Sequence, residues 1–255
     1  MKLTDAKVVV TGAASGMGRY FALSFAREGA KVAACDLNTE ELATLVTEAE
    51  GLPGEIKAFE CNVADEASVQ GMMDAAFAAF GGINGLVNNA GIIRDGLLVK
   101  KDKNTGEIKT MSLKKWQQVI DVNLTGPFLC TREFAARVIE AGIDDSVVVN
   151  ISSISRAGNR GQSNYSAAKA GLVADTVLWS KELVRYGMRF GAIAPGFVRT
   201  PILEGMPPAA LERVLQGVPM KRLGEPEEIF AGVRFIFENG YFTGRVLEID
   251  GGLIL

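Results

Sequence analysis

Short runs of β-branched and aliphatic residues recur along the chain, and the segments between them repeat their apolar positions every three to four residues. The runs at Lys7 to Thr11, Lys31 to Cys35, Ile56 to Cys61, Gly85 to Asn88, Ser146 to Ser152, Arg189 to Ala194 and Val246 to Ile249 predict strands. They are apolar almost throughout, so both faces of the sheet should be covered. The longer periodicity predicts helices near 17–28, 39–49, 66–80, 112–141, 163–186 and 226–238. Strand and helix in alternation specify βαβ units, hence an α/β fold with a doubly wound parallel sheet of seven strands. No repeat, low-complexity tract or linker interrupts the alternation, so residues 1–255 are expected to form one domain.

Two stretches break the rhythm. Residues 94–110 place Asn104-Thr105-Gly106, a turn-forming triplet, between charged, extended-looking flanks, which predicts an exposed hairpin. Residues 201–225 scatter Pro201, Pro207, Pro208 and Pro219 around an apolar helical piece containing Leu211, Val214 and Leu215. That mixture suits a lid over a substrate, with Leu203, Met206, Leu211 and Met220 as its apolar lining.

Composition narrows the chemistry. The 27 Lys+Arg against 30 Asp+Glu leave a net charge of −3, without the basic surplus expected of a nucleic-acid binder. The longest uncharged stretch, Ala75 to Ile93, is broken by glycines and asparagines and predicts no membrane span. Met1 to Lys7 does not read as a targeting segment. Histidine is absent, which removes Ser-His-Asp hydrolases, HExxH zinc sites and imidazole proton shuttles. Acid–base work must then fall to Tyr, Lys or carboxylates. Cys35, Cys61 and Cys130 are too far apart for a CxxC pair and odd in number, so they predict buried free thiols, no metal site and a reducing cytoplasm.

Candidate chemistry begins right after the first strand, at Thr11-Gly12-Ala13-Ala14-Ser15-Gly16-Met17-Gly18. Such a turn is either an ordinary Gly-rich connection or a cradle in which backbone N–H groups and a helix dipole meet a pyrophosphate, and its place in the first βα unit favours the cradle. The second strand ends at Asp36, 18 positions after Gly18, where a carboxylate accepts hydrogen bonds from ribose hydroxyls or caps the next helix. No Arg stands at Ser15 or Leu37 to receive a 2'-phosphate, so NAD(H) is expected rather than NADP(H). Further on, Tyr165 and Lys169 are four apart on a predicted helix and share a face. An adjacent cation favours the phenolate, which would let Tyr165 act as a general base or acid.

The set Gly12-xxx-Gly16-x-Gly18, Asn88-Asn89-Ala90-Gly91, Asn123, Ser152, Tyr165-xxx-Lys169 and Pro195-Gly196 resembles the short-chain dehydrogenase/reductase family, in the family's order over nearly the whole chain. The wording Arg94-Asp95-Gly96-Leu97, Gly161-Gln162 and Ile249-Asp250-Gly251-Gly252 resembles its 3-oxoacyl-[acyl-carrier-protein] reductase branch. The resemblance implies a Rossmann fold and a hydride exchange between NAD(H) and a carbonyl/secondary-alcohol pair. Catalytic roles fall on Asn123, Ser152, Tyr165 and Lys169, with Ser152 preferred to Ser153 because the implied serine stands 13 positions before the tyrosine. Asn123 would hold a water linked to Lys169, and Ser152 would bind the substrate oxygen.

Cofactor contacts are implied at Gly12, Ser15, Gly16, Met17, Gly18, Asp36 and Leu37, with Asn62 and Val63 bordering the adenine. Asn89, Ala90 and Gly91 would line the ribose and nicotinamide side, Lys169 would serve the Tyr165 phenol and the nicotinamide ribose together, and Pro195, Gly196, Val198 and Thr200 would meet the carboxamide. The segment between Gly91 and Trp116 is longer than the branch implies, which accounts for the hairpin. A 3-oxoacyl or 3-hydroxyacyl thioester is the implied substrate. Biosynthetic members of the branch usually take NADPH, so a broad-range alcohol or hydroxysteroid-type dehydrogenase stays open beside it. So does a non-catalytic NAD sensor, although a sensor has no need of a proton relay. Apolar residues on several faces of 163–186 predict a homotetramer.

Overall fold

The computed structural model describes residues 1–200, 203 and 208–253. Pro201, Met206 and Pro207 of the expected lid, and Ile254 and Leu255 at the chain end, lie outside the described residues. Seven strands form one sheet: β1 (Lys7–Thr11), β2 (Lys31–Asp36), β3 (Glu55–Glu60), β4 (Gly85–Asn88), β7 (Ser146–Ile151), β8 (Met188–Pro195) and β9 (Arg245–Ile249). Their order is β3-β2-β1-β4-β7-β8-β9, and every neighbouring pair runs parallel. The alternation of strand and helix made this arrangement readable. Parallel neighbours need crossover helices, and the helices bury both faces.

Side chains alternate across the sheet to two cores. Val8 and Val10 of β1 face a layer built by α1 (Gly16–Arg27), α2 (Thr39–Glu48) and the late helix α8 (Pro226–Glu238), where Phe25 meets Phe230 edge-on at 5.2 Å. Val9 faces the other layer, formed by α3 (Glu66–Phe80), α5 (Gly126–Glu140) and α6 (Ser163–Leu183). Between these layers β1 lies beside both β2 and β4, so the chain reverses its winding there and leaves a crevice beyond the C-terminal strand ends.

A polar ladder crosses the middle of the sheet. The Asn88 amide donates to Thr131 (3.0 Å) and to Asn150 (2.8 Å), whose own amide donates to Thr176 (2.9 Å). These bonds tie β4, β7, α5 and α6 together directly beneath the crevice.

Two predicted helices are interrupted. The stretch 112–141 splits into α4 (Leu113–Ile120) and α5 around a π-turn at Asp121–Thr125, and 163–186 ends its α-helical part at Leu183 before a 3₁₀ turn, Val184–Tyr186. The π-turn holds Asn123 fully buried. The hairpin is present as β5 (Val99–Lys101) and β6 (Ile108–Thr110), antiparallel and apart from the main sheet. Its turn is organised by Asp102, whose carboxylate accepts from the N–H of Asn104 (3.0 Å) and Thr105 (3.2 Å), with Gly106 in the left-handed region at φ 72°. Within the expected lid, α7 spans Pro208–Gly217.

Candidate active site

The glycine turn closes on itself before it offers anything to a ligand. A Cβ at Gly18 would stand 2.0 Å from the Gly12 carbonyl oxygen, and one at Gly12 would stand 2.8 Å from the Ala90 Cα. Gly12 and Gly18 therefore let β1, the start of α1 and the Asn89-Ala90 segment pack in contact, and the Asn89 amide secures them by donating to the Thr11 (3.0 Å) and Gly12 (3.2 Å) carbonyls. Gly16 differs: at φ 53° its Cβ position faces open space, with Thr200 no nearer than 4.0 Å. Ser15 stands at the N-cap of α1, yet its side chain makes no capping hydrogen bond. The N-terminus of α1 is thus open toward the crevice, with exposed Ser15 and half-buried Met17 at its rim. Free N–H groups, a helix dipole and a glycine without a side chain are what a pyrophosphate needs.

At the neighbouring strand end, Asp36 accepts from the N–H of Ala14 (3.1 Å) and of Asn38 (3.1 Å). It does not cap α2; Asn38 does, accepting from Glu41 N–H at 3.1 Å. That removes the capping alternative for Asp36 and leaves a half-exposed carboxylate beside Leu37, which is 61% exposed. Beyond β3, the Asn62 side chain accepts from Ala64 N–H at 3.1 Å, while Val63 is buried against α5. On the far side, Gly196 passes so close to Asp250 that a Cβ would meet its Cα at 2.7 Å, and Val198 bridges to Gly224. Half-buried Thr200 faces back toward Gly16.

The proton-handling groups lie at the ends of β4 and β7. The helical spacing of Tyr165 and Lys169 puts the lysine Nζ over the tyrosine ring, 5.6 Å from its centre. Lys169 is 3% exposed, and its Nζ donates to the Ile151 carbonyl at 2.7 Å. Burial depresses its pKa to about 8. Tyr165 moves the other way. Burial raises its pKa, a hydrogen bond from the Ser153 hydroxyl opposes this, and the nearby Asp95 charge adds to the rise. The expectation that the lysine would lower the phenol is therefore not met by these residues alone, because withdrawal from water outweighs the hydrogen bond.

The two adjacent serines turn to different partners. Ser152 still belongs to the strand ladder, its N–H donating to Ile193 O at 2.7 Å. Its hydroxyl turns inward and donates to the Lys169 carbonyl at 2.9 Å. Ser153, one residue on, points to the other side and reaches Tyr165. Counting positions back from the tyrosine ignored the two-residue alternation of a strand, in which a shift of one reverses the face.

Asn123 holds the main chain of a neighbouring segment. Its amide pairs with both main-chain groups of Ile92, accepting from N–H (2.8 Å) and donating to C=O (2.9 Å), so it clamps the segment after Asn89-Ala90-Gly91. Asn164 went unnoticed in the sequence. It is fully buried, accepts from Tyr165 N–H (2.8 Å) and donates to the carbonyls of Arg94 (3.2 Å) and Lys115 (3.1 Å). Its signal was available: an Asn immediately before the tyrosine, in the first turn of a helix, where Asn favours local backbone bonds. The chemistry of the set is a protonated phenol, a hydroxyl upon it and a buried cation beneath it, at the C-terminal ends of the strands.

Comparison with known proteins agrees with this geometry. A family model described as enoyl-(acyl carrier protein) reductase matches residues 12–254. The 3-oxoacyl-[acyl-carrier-protein] reductase of Thermotoga maritima is 41% identical over 258 residues, covering 100% of both chains. The (3R)-3-hydroxyacyl-CoA dehydrogenase of Canis lupus familiaris is 36% identical over 266 residues, covering 100% of this chain and 98% of that one. A crystal structure of a short-chain type dehydrogenase/reductase from Mycobacterium marinum superposes with a TM-score of 0.86 at 29% identity, covering 98% of this chain and 96% of the other. No helix among the described residues is long and apolar enough to cross a membrane.

The lysine generates a stability test. Its pKa is lower in the folded chain (about 8) than in the unfolded one (10.5). The penalty for burying its charge is therefore fully present below pH 8 and fades as pH rises toward 10.5. Lys169→Met should stabilise the fold at pH 7 by on the order of 3 kcal/mol. In thermal unfolding the midpoint should rise by about 5 °C or more, and the gain should shrink between pH 8 and 10.5. A variant that melts at or below the wild-type temperature at pH 7 contradicts the assignment.

Proposed function

Because the chain belongs to the short-chain dehydrogenase/reductase family, uses a nicotinamide cofactor and acts on CH–OH groups, we propose that it interconverts a 3-oxoacyl thioester and its 3-hydroxyacyl counterpart with NAD(H). The observation that carries the chemistry is the ammonium of Lys169 buried beneath the Tyr165 ring, with the Ser153 hydroxyl on the phenol. The thioester class is supported by the reductase and acyl-CoA dehydrogenase relatives, and NAD(H) by the half-exposed Asp36 carboxylate, which would repel a 2'-phosphate.

In the reductive direction the dihydronicotinamide, when bound, supplies hydride to the carbonyl carbon. Tyr165 gives its proton to the carbonyl oxygen, and its raised pKa keeps that proton available at neutral pH. Ser153 donates to the same oxygen and favours the developing charge. Lys169, held by Ile151 O, stabilises the phenolate left behind and would hold a ribose hydroxyl of the bound cofactor. In the oxidative direction Tyr165 acts as the base. Asn123 fixes the Asn89-to-Ile92 segment along the cofactor, and Asn164 fixes Tyr165. The open N-terminus of α1 would take the pyrophosphate, Asp36 the adenosine ribose and Leu37, with Asn62 and Val63, the adenine side. Ala90 and Gly91, then Pro195 to Thr200, would border the nicotinamide. Leu203 and Leu211, half-buried, and Met220, 58% exposed, contribute to the substrate lid.

We place the enzyme in the reducing cytoplasm, where its three cysteines stay free thiols. We read it as a homotetramer, because Phe128 of α5 and Leu178 of α6 stay 42% and 49% exposed and β9 leaves a sheet edge open.

Four outcomes test these readings. Tyr165→Phe should lower kcat for a 3-oxoacyl thioester by about 10²- to 10⁴-fold with cofactor affinity nearly intact. Ser153→Ala should lose activity by a comparable factor, whereas Ser152→Ala should retain it within about tenfold; the opposite order would restore Ser152 to the active role. Asp36→Asn should weaken NADH and strengthen NADPH, moving their kcat/KM ratio by about tenfold or more toward NADPH. A wild type that already prefers NADPH contradicts the role of Asp36. Light scattering at micromolar concentration should give four times the chain mass; a monomer refutes the tetramer.

A further inference from the structure

The β5–β6 hairpin is fastened to the catalytic helix by more than chain connectivity. Gly96 N–H donates to Gly161 O at 2.8 Å, and the Gln162 amide donates to both Asp95 carboxylate oxygens at 3.2 Å. Asn164, next to Tyr165, binds the carbonyls of Arg94 and Lys115, the two residues between which the insertion leaves and rejoins the fold. The base of the hairpin is therefore tied to the start of the helix that carries Tyr165.

Its surface is unusual for this chain. Residues 99–110 carry a net charge of +2 in a protein of −3. Lys109 is neutralised by Asp102 (3.1 Å) and Glu107 (3.4 Å). Lys100, Lys101 and Lys103 are exposed and make no ion pair among the described residues. The register sets Lys101 opposite Ile108 and Val99 opposite Thr110, so Val99, Lys101 and Ile108 share one face. Val99 is 56% and Ile108 60% exposed. Uncovered aliphatic surface beside unpaired ammonium groups is complementary to a flat aromatic base that carries phosphates.

We propose that the Val99–Thr110 hairpin is a subsite for the phosphorylated adenosine end of coenzyme A, taking its phosphates at Lys101 and Lys103 and its adenine against Val99 and Ile108. The proposal rests on the thioester reading of the active site and names the carrier. Lys100, on the opposite face, adds to the attractive field. From Gly96, bridged to Gln162, the chain reaches Lys101 in five residues, or about 17 Å if extended. The pantetheine arm, two amide units joined by short methylene spacers, covers a span of that order. A carrier protein is the less fitting occupant, since a stable protein interface takes about 800 Å² per partner, and this hairpin has three-residue strands.

The test compares wild type with the Lys100→Gln/Lys101→Gln/Lys103→Gln variant, whose changes are confined to exposed side chains. Three thioesters of one acetoacetyl group are used: on coenzyme A, on N-acetylcysteamine, which lacks the nucleotide, and on an acyl carrier protein. The variant should raise KM for the coenzyme A thioester about tenfold with kcat unchanged, and should leave the N-acetylcysteamine thioester unaffected. Added salt should lower wild-type kcat/KM for the coenzyme A thioester and have a weaker effect on the variant. Calorimetry with free coenzyme A should show Kd about tenfold weaker in the variant. If coenzyme A binding and KM are the same in both proteins, or wild type binds no coenzyme A, the hairpin is surface decoration and the subsite is refuted. Loss confined to the carrier-protein thioester refutes it in favour of protein docking. If wild type binds coenzyme A through these lysines yet turns over none of the thioesters, the subsite stands and the proposed substrate falls.

Discussion

A lysine ammonium held almost wholly out of water is the constraint on which this site depends. Withdrawal from solvent is unfavourable to the charge, and the fold answers with the Ile151 carbonyl at 2.7 Å and the face of the Tyr165 ring. Both are available because β7 ends where α6 begins to pack on it, leaving the last strand carbonyl free to turn toward the helix. The same junction assigns the two serines. Ser152 stays in the ladder and ties the helix main chain at Lys169, which frees Ser153 to face the crevice.

The cradle, the catalytic set and the hairpin form one connected frame. Gly12 and Gly18 are required because Asn89 and Ala90 press on the turn they form. The strand-end segment that supplies Asn89 continues to Ile92, which Asn123 clamps from the π-turn, and then to Arg94, which Asn164 clamps from the helix of Tyr165. The glycine turn and the phenol are thereby set relative to each other by asparagine side chains bound to the main chain, which suits a reaction whose hydride and proton must arrive at adjacent atoms.

The sheet was legible in the sequence because a doubly covered parallel strand reads as a continuous apolar run, and all seven were found to within a residue or two. The crowded turn at Gly12 and Gly18 was legible because glycine spacing reports backbone crowding directly. What escaped were features decided by which way a side chain turns. Ser152 and Ser153 are adjacent and chemically identical, and only the strand's alternation separates them. The π-turn at Asn123 adds a residue to a helical repeat without altering its apolar periodicity enough to see. Asn164 carries no charge or rare chemistry, and its three bonds join segments distant in sequence. The raised pKa of Tyr165 depends on burial, which spacing does not report.

Tyr165 is a half-buried proton donor whose affinity for its proton is set by its surroundings. Four tyrosines absorb in this chain, so the direct measurement is an ultraviolet titration of phenolate in the wild type minus that in Tyr165→Phe, with and without saturating NAD⁺. In the free protein the difference curve should have its midpoint above the ordinary tyrosine value of 10. With NAD⁺ the added positive charge should move the midpoint down. A midpoint at or below the ordinary value in the free protein, or one that NAD⁺ leaves in place, would contradict the account.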